Sequence, residues 1–241
     1  MIEGSIGFAW HGVPLVLLPG RSVWMPDERA LLVTDVHLGK PASFRSSGIP
    51  VPEQVTAGDL NRLSALIDAV GAERLVVLGD LIHDSAALLD RTRDAVLDWR
   101  ASIGEVAVEL IPGNHDRKAA SCESLGVSVL EEAVVLGGLT LTHEPPESAA
   151  GPVLCGHVHP AVSVGDPRSP ARVRSACFWF EGMVGVLPAF GRFTGGQAVR
   201  AIREAGLFAA GDRAVVPINQ TARGWACSGR CGQSRSAYDR G

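Results

Sequence analysis

The chain has no apolar run of the ~18 residues that a membrane-spanning helix needs; the apolar stretch at residues 13–18 is far too short. Only Glu3 is charged ahead of that stretch, so the basic lead-in of a secretory signal is also missing. The expectation is a cytoplasmic protein with no membrane partner. Excess positive charge is lacking too. Lys and Arg number 22 against 26 Asp and Glu, a formal net charge of -4. No global field draws in nucleic acid or an anionic membrane, and a polyanionic substrate must be attracted by local patches or bound ions. The five cysteines (Cys122, Cys155, Cys177, Cys227, Cys231) are an odd number, which argues against a disulfide framework in a non-secreted chain. The Cys227/Cys231 pair has no second ligand pair to complete a zinc site, and Cys155 reads as a buried strand residue. What remains is ordinary globular composition, 46% apolar and 20% charged over 241 residues. That length suits one large domain able to bury a polar site.

Short runs rich in aliphatic and β-branched residues, each near Gly, Pro, Asp or Asn, predict strands at 30–34, 75–78, 106–111, 133–142, 152–155, 172–180, 183–187 and 214–218. Helical spacing of apolar residues predicts helices at 53–70, stopped by Gly71, and at 86–103. The first half thus reads β-α-β-α-β and the second half mostly strands, which predicts a layered α/β fold with sheet inside and helices outside. Residues 41–52 read as a Pro/Ser/Gly loop near the site, residues 1–222 as the folded domain, and residues 223–241 as a disordered tail.

Polar residues cluster where the predicted strands end. Asp35 and His37 follow the first run. Gly79-Asp80, with His83 and Asp84, follows the second, and Gly113-Asn114-His115-Asp116 the third. His143 follows the fourth, and Gly156-His157-Val158-His159 the fifth. Strand ends of an α/β sheet converge on one edge, where loops build the site. Six of the seven histidines fall in these blocks and only His11 lies outside. Six unrelated core histidines beside Asp35, Asp80 and Asn114 are a far weaker account than one metal cluster. Imidazole, carboxylate and amide without thiolate form a shell suited to Mn, Fe or Zn. Two ions need a bridging carboxylate, and Asp80 is the candidate because it lies between the other blocks and follows a glycine. His83 is either a neighbour of the site or a helix cap. Asp84 and Asp116 are either supporting or capping groups.

The order D-x-H, G-D-x-x-H, G-N-H-D, H, G-H-x-H over residues 35–159 resembles the calcineurin-like metallophosphoesterase superfamily. The resemblance implies a two-sheet β-sandwich flanked by helices and a phosphoester hydrolase. By motif position, Asp35, His37, Asp80 and His159 would hold one divalent ion; Asp80, Asn114, His143 and His157 would hold a second. His115 would sit beside the scissile phosphate as the catalytic residue, with Asp116 orienting it or capping a helix at 117–124. Manganese is the expected metal, with zinc and iron open. The segments Asp35-Val-His-Leu-Gly-Lys40, Phe44-Arg45, Gly48-Ile-Pro-Val-Pro52 and 187–196 further resemble the bacterial ligase-associated DNA-damage-response phosphoesterases. That likeness implies a phosphodiesterase or endonuclease in DNA end processing or repair, with a DNA ligase and a helicase as pathway partners. A nucleotide or cyclic-nucleotide phosphoesterase is the alternative, favoured by the acidic net charge. Lys40, Arg45 and Arg192 are candidate substrate contacts, and Phe44, Phe190 and Phe193 either stack on bases or belong to the core.

Overall fold

The computed structural model describes residues 2–52, 54–83, 90–116, 120–165, 171–200, 204–219 and 221–225. The first sheet holds β1 (Ile6–Trp10), β2 (Val13–Leu18), β3 (Ser22–Met25), β4 (Ala30–Val33), β5 (Arg74–Leu78), β6 (Ala107–Ile111) and β7 (Ser128–Val129), in chain order. Strands β1 to β4 pair antiparallel, and β4 to β7 run parallel. The parallel part needs crossovers. Helix α2 (Gln54–Val70) lies between β4 and β5, α3 (Asp90–Ser102) between β5 and β6, and the short α4 (Ala120–Glu123) before β7.

Alternation along the strands sorts the core into two layers. Leu31, Val33, Leu75, Val77, Val108 and Leu110 pack with Leu60, Leu63 and Ile67 of α2 and with Val96 and Trp99 of α3. The intervening Ala30, Leu32, Val76, Leu78 and Ile111 face Phe178, Phe180, Leu187 and Phe208 across the sandwich. Phe178, Phe180 and Phe208 belong to a second sheet, and Leu187 directly follows one of its strands. The sheet runs β14 (Gln197–Ala198), β11 (Pro160–Val164), β12 (Val173–Glu181), β13 (Val184–Val186), β10 (Val153–Cys155), β9 (Leu139–Thr142), β8 (Ala133–Leu136). Strands β15 (Gly206–Ala210) and β16 (Val215–Pro217) extend it from β12. The result is the expected two-sheet sandwich with helices outside.

Several local expectations need correction. The run 133–142 is not one strand but the hairpin β8–β9, because Gly137 and Gly138 both take positive φ (56° and 86°) and reverse the chain. Residues 41–52 are not all loop. Helix α1 (Lys40–Ser46) forms there, with Pro in its first turn, where the missing N–H costs nothing. Strands β1 to β3, absent from the sequence expectation, supply Phe8, Trp10, Leu15 and Leu17 to the core. Trp225, within the segment assigned to the tail, stacks on Phe8 with ring centroids 5.7 Å apart, so packed contacts reach that residue. Residues 226–241, with Cys227 and Cys231, lie outside the described residues, as do Asp84 and the start of the predicted helix at 86–103.

Behind the site a buried ion pair ties α2 to the segment after β13. Arg62 Nη2 lies 3.2 Å from Asp59 Oδ1, its guanidinium stacks 3.9 Å from the Phe190 ring centroid, and it donates to the Phe190 carbonyl. Burial pushes the Arg62 pKa down to about 10 and raises that of Asp59. Arg62→Ala strips a buried carboxylate of its ion-pair partner, an expected loss of ~3–5 kcal/mol. Urea unfolding measures it; a loss below ~1 kcal/mol, the range of exposed pairs, would contradict the assignment.

Candidate metal centre

The carboxyl ends of β4, β5, β6, β9 and β10 deliver Asp35 and His37, Asp80, Asn114 and His115, His143, and His157 and His159 respectively. The backbone there is strained. Eight non-glycine residues among those described have positive φ, and five of them are Asp35, His37, Asp80, His157 and His159 (50° to 66°). A left-handed backbone is costly for residues with a Cβ and persists where surrounding structure enforces it. Here the loops turn sharply so that each side chain aims back between the sheets. Two glycines make room. A Cβ on Gly79 would collide with the His143 ring, and one on Gly113 with the Asp80 carboxylate.

The seven expected ligands do come together, and their atoms call for cations. His143 Nδ1 lies 2.9 Å from the Leu78 carbonyl. A carbonyl only accepts, so Nδ1 carries a hydrogen, and in the neutral ring Nε2 presents a lone pair. That lone pair faces Asn114 Oδ1 at 3.1 Å, His157 Nδ1 at 3.1 Å and Asp80 Oδ1 at 3.6 Å. Oxygen acceptors crowded on a nitrogen lone pair repel unless a cation sits among them. On the other side, His37 is buried and, among the described residues, neither of its ring nitrogens has a hydrogen-bond partner. Its Nε2 lies 3.9 Å from Asp80 Oδ2, and Asp35, His37 and His159 present ligand atoms within 4.8 Å of one another. Asp80 thus turns one oxygen toward His143 and the other toward His37. Unsatisfied buried nitrogens of this kind are what metal ligation would satisfy, and the residues fit divalent ions.

Supporting groups fix the carboxylates. Asp35 Oδ2 accepts the His157 backbone N–H at 3.0 Å and lies 2.7 Å from the Thr34 hydroxyl, while Oδ1 lies 3.0 Å from His159 Nε2. Burial opposes charge on Asp35, but the hydrogen bond and charge of His159, with the Thr34 bond, hold its pKa below the usual range. His115 donates its backbone N–H to Asp80 Oδ1 at 2.9 Å. Its ring Nδ1 meets the His83 carbonyl at 2.8 Å, and the His83 ring stacks on it at 5.0 Å.

His83 therefore belongs to the site, and its carbonyl does the orienting expected of Asp116. The Asp116 carboxylate instead accepts from Ile82 N at 3.2 Å and Gly113 N at 3.0 Å, stapling the loop after β6 to the loop after β5. Burial raises its pKa. Neither Thr34 nor the His83 carbonyl announced its role in the sequence.

The expected substrate contacts separate. Lys40, half-buried at the start of α1, lies near enough that Asp35 and Asp80 act on its charge, though burial dominates and lowers its pKa. Arg45 donates to the Val51 carbonyl at 3.2 Å and braces its own loop. Arg192 pairs with Asp212 at 3.2 Å. Phe190 is fully buried core, whereas Phe193 is 40% exposed and meets Phe44 edge-on at 5.6 Å.

Burial, followed by the charge of Lys40, pushes the His37 pKa from 6.5 down to about 3. The unfolded chain therefore binds the proton more readily, and stability of the metal-free protein falls as pH drops from 6.5 toward 3. Asp35, depressed in the fold, acts in the same direction in the carboxylate range. Thermal unfolding in EDTA should show a Tm at pH 5 below that at pH 7, with a smaller drop in His37→Gln; an identical drop would contradict this origin.

A profile of the calcineurin-like phosphoesterase family matches residues 28–159. Nuclease MPE of Pseudomonas putida is 38% identical, with a TM-score of 0.76 over 89% of this chain and 100% of that one. The phosphoesterase Yfce of E. coli is 16% identical, with a TM-score of 0.44 over 78% of this chain and 97% of that one. Curated proteins give no match.

Proposed function

The chain belongs to the calcineurin-like phosphoesterase family and is a phosphoester hydrolase, and on that premise we propose that it is a dinuclear, manganese-dependent phosphodiesterase acting on DNA. The observation that carries the dinuclear reading is Asp80, whose oxygens face His143 at 3.6 Å and His37 at 3.9 Å. Asp35, His37, Asp80 and His159 would hold one ion, and Asp80, Asn114, His143 and His157 the other. Bound divalent ions would supply charge to offset the phosphoryl oxygens and acidify a water toward neutral pKa.

The chain's own residues do the rest. Asp35 and Asp80 bring their carboxylates to where the loops converge. His115 is held by the His83 carbonyl through Nδ1, so its Nε2 points away from that bond and, when the ring is the doubly protonated imidazolium, can pass its proton to the leaving oxygen or donate to a phosphoryl oxygen. Its side chain is 37% exposed, within reach of a large substrate.

The DNA reading is supported by the 38% identity to a protein described as a nuclease, together with the sequence likeness to the ligase-associated phosphoesterases. On this reading the enzyme would work in DNA end processing or repair in the cytoplasm, in a pathway shared with a DNA ligase and a helicase. Among the described residues no helix is long and apolar enough to cross a membrane. The net charge of -4 favours a small nucleotide instead. The two separate by incubating the Mn²⁺-loaded protein with single-stranded and nicked DNA and with mono- and cyclic nucleotides. Cleaved DNA is expected; turnover of a nucleotide with DNA untouched would overturn the DNA reading.

A further inference from the structure

Two of the cavities beside the metal centre differ in charge. The one of about 660 Å³ is walled by Asn114 and His143 and carries Glu132 and Glu144. The one of about 180 Å³ adjoins His159 and carries Arg21 and Arg174, closed by Thr194-Gly195-Gly196, with no carboxylate on its wall among the described residues. Alanines and a proline complete that wall, so short side chains leave the space open.

We propose that the cavity beside His159 is a subsite for a second phosphate, the one next to the scissile linkage along a polynucleotide strand. The cations come from both sheets and are held in place before a ligand arrives. Arg21, in the turn between β2 and β3, donates Nη1 to the Ala189 carbonyl at 3.3 Å and the Gly191 carbonyl at 3.5 Å. Its buried Nε has no hydrogen-bond partner among the described residues. Arg174, exposed on β12, is steadied by the Gly196 carbonyl. Among the described residues the backbone N–H groups of Gly195 and Gly196 make no hydrogen bond, and successive uncommitted amides are a common anion cradle. Guanidinium groups suit a phosphate because their forked N–H groups match its oxygens.

His159 links this cavity to the centre, since its Nε2 reaches Asp35 at 3.0 Å and the residue forms part of the cavity wall. A monophosphate at the metal centre leaves the arginines unused, whereas a strand engages both places. The glutamates of the opposite cavity repel a phosphate there, so the charged backbone leaves the centre on the His159 side.

The inference rests on the phosphodiesterase reading, and the test reads binding so that the two can fail separately. Calorimetry on the full, Mn²⁺-loaded chain gives Kd for thymidine 3′,5′-bisphosphate and for thymidine 5′-monophosphate, in the wild type and in Arg174→Gln. The second phosphate should favour the bisphosphate by about tenfold or more in the wild type, the size of one charge-assisted contact. In Arg174→Gln the preference should shrink to within about twofold. A wild type that binds both alike, or a preference that survives Arg174→Gln, overturns the subsite. Failure to cleave any DNA overturns the DNA reading and leaves this ratio readable.

Discussion

Replacing His115 with alanine is expected to lower kcat on a phosphodiester by about 10²–10⁴-fold, the usual worth of a positioned proton donor, while the ions stay bound. The geometry separates the two roles. It is the backbone N–H of His115 that reaches Asp80, at 2.9 Å, and alanine keeps that bond. The ring lies farther off, with Nε2 4.0 Å from Asp80 Oδ2 and the side chain 37% exposed, so deleting it uncovers no core. Among the described residues its ring hydrogen bond goes to the His83 carbonyl, which puts a hydrogen on Nδ1. Steady-state kinetics with bis-p-nitrophenyl phosphate, paired with manganese analysis of the same samples, checks this. A rate loss matched by lost metal would make His115 a ligand. A loss below about threefold would remove it from the chemistry, since proton transfer is worth far more.

Asp80→Asn is expected to exceed the ~10–100-fold cost of disturbing a group that only supports a ligand, and to weaken ion binding on both sides of the residue. One oxygen of Asp80 accepts the His115 N–H and faces His143, and the other faces His37. The residue is also held at a φ of 52° between β5 and its loop. An amide keeps the shape but removes the negative charge and turns an N–H₂ donor toward one group of ligands. Calorimetric titration with Mn²⁺ should show both binding steps weakened. Weakening of one step alone would mean that Asp80 serves a single ion.

The candidate ligands that the structure brings together were legible in the sequence. Asp35, His37, Asp80, Asn114, His143, His157 and His159 each sit within a few residues of a strand end, and strand ends in such a fold share an edge. The first sheet, which carries Asp35, His37, Asp80 and Asn114, was legible from 30 onward for the same reason: Leu31–Val33 and Leu75–Leu78 are aliphatic runs buried on both faces. The strands ahead of residue 30 were harder. Ile6–Trp10 carries Gly7 and Ala9, and its apolar pattern is weak. The hairpin was marked only by His11-Gly12, both with positive φ, a less familiar turn pair than Asn-Gly.

Contacts made through backbone atoms were invisible in principle. The bond that orients His115 comes from a carbonyl, so no side chain advertised it, and Asp116, the plausible candidate by proximity, is occupied by the amides of Ile82 and Gly113. Arg21 and Arg174 are distant in sequence and sit on different sheets; they meet beside His159 only once the sandwich closes.

The shared carboxylate is the centre of the account, and electron paramagnetic resonance of the Mn²⁺-titrated protein tests it most directly. Two equivalents of Mn²⁺ per chain with a spin-coupled signal, replaced by uncoupled Mn²⁺ in Asp80→Asn, is the predicted result. A single equivalent, or two that remain uncoupled in the wild type, would contradict it.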